Sequence, residues 1–313
     1  MSRDHLKENN MLVLQLDIED AALQTNDKHS PNNNINKVDA KGDNFVFGLA
    51  DSGLVREKGK KAQVYVEGDE LTAAPYMKAM VLFSFASHLT VALTGASSLL
   101  FSYGPLLGLL STMLITAVTW AAADLGSGIF HWSVDNYGNG RTPVLGNIIA
   151  AFQGHHTAPW TIVEREFCNN VHKLCIPFGP ILPLSTLILH APPGVQLASS
   201  VFCFLEVMSQ ELHKFSHMTK KECPPIVNFL MDKGIVLGRI GHSRHHAVPF
   251  SGNYCIVSGF NNDWVDRVGL FRWMELKVYK IFGVESNSWK LDENLKDMVM
   301  EGKFREANRK GVA

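Results

Sequence analysis

The chain reads as an all-α, multi-pass membrane protein, with about four transmembrane helices in two hairpins and a His-rich, metal-binding helical cap on one membrane face. Three observations lead there. No Asp, Glu, Lys or Arg occurs from Ala79 to Ala123, and none from Leu174 to Leu205. A bilayer takes about 20 apolar residues per helix, so each stretch is long enough to cross one. Ten of the 13 histidines fall between His131 and His246, at the ends of these stretches.

The first apolar helix is expected over Met77–Tyr103, broken by Gly104 and Pro105, and the second over Leu106–Phe130. The third, Leu174–His190, contains Pro177, Pro180 and Pro183, which kink a helix or make it re-entrant. Ala191–Gly194 reads as a turn, and a fourth helix follows over Val195–Leu212. The connections near Gly104 and Pro192 are uncharged. Lys78, Arg141, Arg165, Lys173, Lys214, Lys220 and Lys221 all fall on the other side, which the positive-inside rule makes cytosolic, or stromal in a plastid. A helical pattern of Phe271, Met274, Val278 and Ile281 within Phe271–Phe282 fits an interfacial helix or an ordinary packing helix.

Residues 1–75 are polar, with an Asn-rich run at Pro31–Asn36 and a basic patch at Lys58–Lys61. Such a composition buries too little apolar surface to order itself, so a largely disordered tail is expected. It has no apolar h-region, and its acids (Asp17, Glu19, Asp20, Asp27, Asp39, Asp43) do not suit a transit peptide. Residues 76–290 form the expected membrane domain and 291–313 a charged C-terminal tail. A net charge of −1 gives no case for nucleic acid. The five cysteines form no CxxC pair and read as small buried hydrophobes.

Four clusters hold eight histidines: His131; His155 and His156; His213 and His217; His242, His245 and His246. Imidazole is the commonest neutral metal ligand, and eight of them suit two ions sharing a site. His213 and His217 are four apart and share a helical face; His242 stands three and four before His245 and His246. Asp135, four after His131, suits a ligand or a carboxylate that orients an imidazole. Asp124 is an acid at a membrane-helix end, where such residues are functional by default. His172 is ambiguous, and His88 and His190 read as structural. The two hairpins bring all four clusters to one face.

No His-Glu-x-x-His marks a zinc protease, and no Glu-x-x-His pair marks a soluble di-iron protein. An all-nitrogen pair of irons at a membrane surface is the ligand set of integral-membrane desaturases and hydroxylases, which use dioxygen on an unactivated methylene. No Gly-x-Gly-x-x-Gly or haem segment supplies electrons, so a cytochrome b5 or ferredoxin partner is expected.

Phe130–Gly138, Phe152–His156, Pro159–Ile162, His213–His217 and His242–His246, with Cys255–Gly259 and Asn262, resemble the Kua-type lipid desaturases. That family includes plasmanylethanolamine desaturase and the plant fatty acid desaturase 4 group. Asp135–Gly138, Asn169–His172, Ser288 and Trp289 are more similar to the plant group. The resemblance covers about Ala121 to Trp289. It implies that the eight histidines hold two irons, with Asp124, Asp135, His172 and Asn262 as candidate supporting residues. It also implies a membrane glycerophospholipid substrate: a trans double bond near the carboxyl end of a palmitoyl chain of phosphatidylglycerol in a plastid membrane, or the vinyl ether of plasmalogens in the endoplasmic reticulum or another endomembrane. A hydroxylase with the same metals and a membrane metal transporter are the competing readings. Transport ligands would lie mid-helix near the bilayer centre, whereas these flank the helices.

Overall fold

The computed structural model describes residues 71–156 and 159–309, together with the backbone of residues 54–56 and 64–66. Most of the expected N-terminal tail lies outside the described residues. Within it, strand β1 (Leu54–Arg56) pairs antiparallel with β2 (Val64–Val66), the one departure from an all-α chain among the described residues.

Helix α1 (Pro75–Asn136) is 62 residues long but is two arms, because Gly104 takes φ 78°, ψ 168° and Pro105 follows it. Glycine alone adopts that conformation without strain, and proline contributes no N–H to the ladder, so the chain reverses here. The arms then meet backbone to backbone: a Cβ on Gly108 would stand 2.5 Å from Leu100 Cα. The second arm runs past the apolar stretch to Asn136, so His131 and Asp135 are on the helix itself.

Short helices follow: α2 (Gly146–His155), α3 (Thr161–Glu164), α4 (Phe167–Val171), a 3₁₀ turn (His172–Leu174), α5 (Cys175–Phe178) and α6 (Ile181–Ile188). The α4–α5 segment and α6 meet at 42° across Gly179 and Pro180, the bend that the prolines predict. The expected turn ends early, since α7 (Pro193–His217) begins at Pro193, and α7 continues through His217. It lies against both arms of α1: a Cβ on Gly95 would be 2.7 Å from Pro193 O, and one on Gly126 2.5 Å from Glu206 Oε1.

Among the described residues one helix, α1, is long and apolar enough to cross a membrane, or two if the bent pair is one span. Helix α7 is more polar and turns that polarity inward, burying Gln196, Glu206, Gln210 and Glu211. Outward, the hairpin exposes Leu82 (72 %), Phe101 (94 %), Leu106 and Leu114, and α6 exposes Ile181 and Ile188. An apolar belt of this extent is larger than a scatter of surface leucines.

The polar end is closed by α8 (Pro225–Asp232), α9 (Arg239–His245), α10 (Asn262–Val268), α11 (Leu270–Phe282), α12 (Asn287–Leu291), α13 (Glu293–Met300) and α14 (Phe304–Arg309). Helix α11 packs by burying Phe271, while Ile281 and Phe282 at its far end are exposed. Leu295, Val299 and Ala307 bury against Leu276 and Trp289, so packed structure continues past residue 290. Gly108→Val is expected to lower stability by about 1–3 kcal/mol, the range for overpacking a closed contact. Thermal unfolding in detergent checks this, with Leu107→Val on the exposed face as the control that leaves stability nearly unchanged.

Candidate metal centre

Helix ends assemble the site. His131 and Asp135 come from the last turns of α1, His155 and His156 from the end of α2, His213 and His217 from the end of α7, and His242, His245 and His246 from α9 and its C-cap. The eight histidines converge and divide into two groups. His155, His213, His217, His242 and His246 form one; His131, His156 and His245 form the other, with Asp135 as fourth member. Within each group the donor atoms all lie within 4.8 Å of one another.

The first group cannot be satisfied by hydrogen bonds alone. His217 Nε2 lies 3.0 Å from His155 Nε2, 3.2 Å from His213 Nε2 and 2.8 Å from His242 Nε2. His242 Nε2 is also 3.0 Å from His246 Nε2. A neutral ring nitrogen carries at most one proton, so three such contacts at one atom set lone pair against lone pair. A shared cation removes that repulsion; neighbouring donors on bonds of about 2.1 Å stand about 3.0 Å apart at right angles and about 3.4 Å apart in a tetrahedron.

In the second group, Asp135 Oδ2 is 3.2 Å from His131 Nε2, 3.2 Å from His156 Nε2 and 3.4 Å from His245 Nε2. His131 Nδ1 donates to Tyr254 O at 3.0 Å, and His245 Nδ1 to Gly252 O at 2.8 Å. Those two bonds fix the tautomer and turn the Nε2 lone pairs into the site, the arrangement usual behind a ligating imidazole. Neither Nε2 has a hydrogen-bond donor of its own. The donor set therefore fits a pair of cations, five nitrogens to one and three nitrogens with a carboxylate to the other.

Burial, then the neighbouring imidazoles, hold His155, His242 and His246 well below the usual imidazole value. Burial and His131 push His245 down to about 4. All four are therefore neutral near pH 7, the ligating form.

The residues expected to support the site divide. Asp135 stands in the donor set itself. Asp124 instead ties a loop: its carboxylate accepts from the backbone N–H of Ser258, Gly259 and Asn261 at 2.7–2.9 Å and from Asn261 Nδ2 at 3.0 Å. Asn262 clamps Cys255, accepting from its N–H and donating to its carbonyl, next to Tyr254. His172 joins neither group; its Nδ1 donates to Asn169 O at 2.7 Å. His88 is structural, its Nε2 3.3 Å from Gly179 O at the bend.

Sequence reasoning missed the carbonyls of Tyr254 and Gly252, which no side-chain motif reveals. It also missed a buried network behind α1. Asn287 Nδ2 donates to Asp135 O, Trp132 and Trp289 donate to the Glu275 carboxylate, and Arg272 Nη2 pairs with Glu275 at 2.8 Å.

Residues 120–289 match the model of the lipid desaturase domain. The chain belongs to that family. It is accordingly a desaturase, an oxidoreductase, and its substrate class is lipid. It is 39% identical over 210 residues to "Fatty acid desaturase 4-like 1, chloroplastic" of Arabidopsis thaliana, covering 66% of this chain and 70% of the relative. It is 44% identical over 169 residues to "Fatty acid desaturase 4, chloroplastic" of the same plant, covering 53% and 51%. With "Plasmanylethanolamine desaturase" of Myxococcus xanthus it shares 30% identity over 165 residues, covering 51% and 58%. The chain thus spans about half the length of some relatives and seven-tenths of another. No solved structure matches. The family match sets the transporter reading aside.

A protonated imidazole has no lone pair for a metal, so acid competes with binding. After dialysis, bound metal is expected to be retained from pH 7 to about 5.5 and lost as the pH falls toward about 4, the value of His245. Metal analysis of the dialysed protein checks this.

Proposed function

We propose that the chain is a non-haem di-iron, O2-dependent desaturase that introduces a double bond into a membrane-lipid-linked acyl chain close to the headgroup. The reading of its substrate is the palmitoyl chain of phosphatidylglycerol, desaturated trans at carbon 3. The observation that carries it is the division of nine donors, seven of them buried and two half-buried, into two adjacent metal-sized groups, in a chain of the lipid desaturase family.

Two irons bound there would supply the dioxygen chemistry needed to remove hydrogen from an unactivated methylene. The protein's own part is to position the chain and keep water out. The ring of Phe152 lies 5.2 Å from that of His131, and the ring of Phe250 lies 4.4 Å from that of His156. Phe130 then links Phe152 to Phe178 at 6.0 and 5.6 Å, a row of aromatic rings leading from the centre toward the apolar hairpins. Such a row suits an acyl chain entering from the bilayer with its headgroup held at the polar end.

In this reading the two arms of α1, the bent α4–α6 segment and α7 pair as two hairpins, with uncharged tips on one side and the metal centre on the cytosolic or stromal side. The chloroplastic names and higher identities of the first relatives favour a plastid membrane and ferredoxin as the electron source. The Myxococcus relative keeps a second reading, plasmalogen vinyl-ether formation with cytochrome b5 as donor.

Expression in a host that lacks both activities, followed by lipid profiling, tests the proposal. A new trans-3 acyl chain in phosphatidylglycerol is expected. A vinyl ether would select the second reading, and unchanged lipids with iron and a competent donor present would overturn both. His217→Ala and His245→Ala are each expected to abolish product, at least about a hundredfold, with membrane insertion kept. Activity surviving either change would refute the ligand assignment.

A further inference from the structure

Trp120 stands on the second arm of α1, one turn before Asp124, the first charge after the run that begins at Ala79. The apolar hairpin meets the polar cap there. Trp120 Nε1 donates to Ile235 O at 3.0 Å, and its ring lies 5.3 Å from that of Phe260. Each contact leads to a strip of apolar side chains left exposed among the described residues. On one flank, α8 packs Val227, Leu230 and Met231 into the cluster that includes Trp120. Its opposite stripe, Ile226 and Phe229, is exposed, with Lys233 one turn on and its Nζ 5.7 Å from the centre of the Phe229 ring. On the other flank Phe260 is exposed, as are Trp264 and Val268, four apart on α10. Leu114 and Val118, exposed on the arm just before Trp120, make both strips continuous with the hairpin surface.

We propose that these two strips form an interfacial collar that seats the metal-binding cap in the headgroup layer of a lipid bilayer; this rests on the reading of the chain as a membrane lipid desaturase. Continuity sets the occupant. Each arm of the hairpin carries the roughly 20 apolar residues that cross a bilayer, and the strips begin at the depth where its charge-free run ends. Whatever surrounds the hairpin therefore reaches them. Their composition suits that boundary: aromatic rings with a polar edge, and a lysine whose stem lies along an apolar stripe, favour the zone between hydrocarbon and water. The Trp120 and Trp264 N–H groups are already satisfied, by Ile235 O and by Asn261 Oδ1 at 2.7 Å, so neither ring gives up a hydrogen bond on entering it. The collar also sets the height of the chemistry. His131 is eleven residues past Trp120 on the same arm, about 16 Å at the rise of an α-helix. The metal centre is thereby held on the headgroup side of the boundary, nearer to the first methylenes of a lipid chain than to its end.

The test uses the full-length, iron-loaded protein in bilayers of phosphatidylglycerol and phosphatidylcholine. Single spin labels are placed at Phe229→Cys, Val268→Cys, Leu114→Cys and Glu293→Cys in a Cys168→Ser background, the other four cysteines being buried. Collision with dissolved oxygen reports hydrocarbon, and collision with a water-soluble nickel chelate reports water. The Leu114 label is expected to meet oxygen, the label at exposed Glu293 to meet nickel, and the Phe229 and Val268 labels to fall between the two. Collar labels as open to nickel as Glu293, with Leu114 in hydrocarbon, would overturn the collar and leave the membrane reading standing. Leu114 in water would remove both. Collar labels shielded from both reagents would also overturn the proposal, since a second copy or the chain's own N-terminal residues would then cover the strips. The unsubstituted protein guards against a labelled variant that fails to fold. Lipids brominated near the ester are expected to quench its tryptophan emission more than lipids brominated near the chain end, and Trp264→Phe to lower that quenching. No such difference, or no loss in Trp264→Phe, would overturn the collar as well.

Discussion

Eight imidazoles and one carboxylate gathered in one small volume, seven of the nine buried, cannot satisfy one another, and the rest of the polar end follows from that. His217 Nε2 faces three ring nitrogens at 2.8–3.2 Å and Asp135 Oδ2 faces three more at 3.2–3.4 Å. Each buried polar atom left without a partner costs about 1–3 kcal/mol. Cations placed among these donors would relieve that cost and couple the stability of the fold to metal binding. The same burial that makes the cluster costly keeps His155, His213, His217, His242, His245 and His246 neutral and ready to ligate.

The fold meets this constraint by placing the donors on helix ends and bracing those ends from behind. His131 and His245 are oriented by backbone carbonyls of one loop, Gly252 to Tyr254. That loop is itself held: Asp266 Oδ2 accepts from Asn253 N, Asn262 clamps Cys255, and Asp124 gathers Ser258 to Asn261. A membrane-helix acid read as functional from its position alone thus works one layer further out, fixing the loop that fixes the ligands. Behind α1, the buried Arg272–Glu275 pair joins Trp132 and Trp289. A buried ion pair is weak evidence for net stability, because desolvation offsets its attraction. Its directional bonds to Trp132, the residue after His131, fit a role in holding position.

What the sequence made legible was the part written in spacing. Charge-free runs and proline breaks located the reversal at Gly104 and Pro105 and the bend at Gly179 and Pro180. Histidines three or four apart announced shared helical faces. His155 and His156, adjacent on a helix and so diverging, face different groups; that His245 and His246 also part was not legible, because it depends on how α2 and α9 approach. Backbone carbonyl anchors carry no residue signature. Residues 293–309 looked like a charged tail because their apolar positions Leu295, Val299 and Ala307 are sparse, yet these are the ones that bury. The four expected spans are not matched among the described residues, where α1 is apolar enough to cross a membrane and α7, which buries polar side chains, is not.

That concealment sets the polar donors close beside an apolar exterior. Glu206, Gln210, His213 and His217 are spaced four, three and four apart, so they form one stripe of α7. Glu206 Oε1 and Gln210 Nε2 are buried without a hydrogen-bond partner. The stripe carries the polar interior of the centre about 10 Å further toward the apolar hairpins, at the rise of an α-helix. An exposed helix of this composition would be costly in hydrocarbon. Here the arms of α1 close over it, with Gly95 and Gly126 allowing near-backbone approach, and turn Leu82, Phe101 and Leu114 outward. The hairpin therefore does two jobs: it presents an apolar exterior, and it shields a polar core.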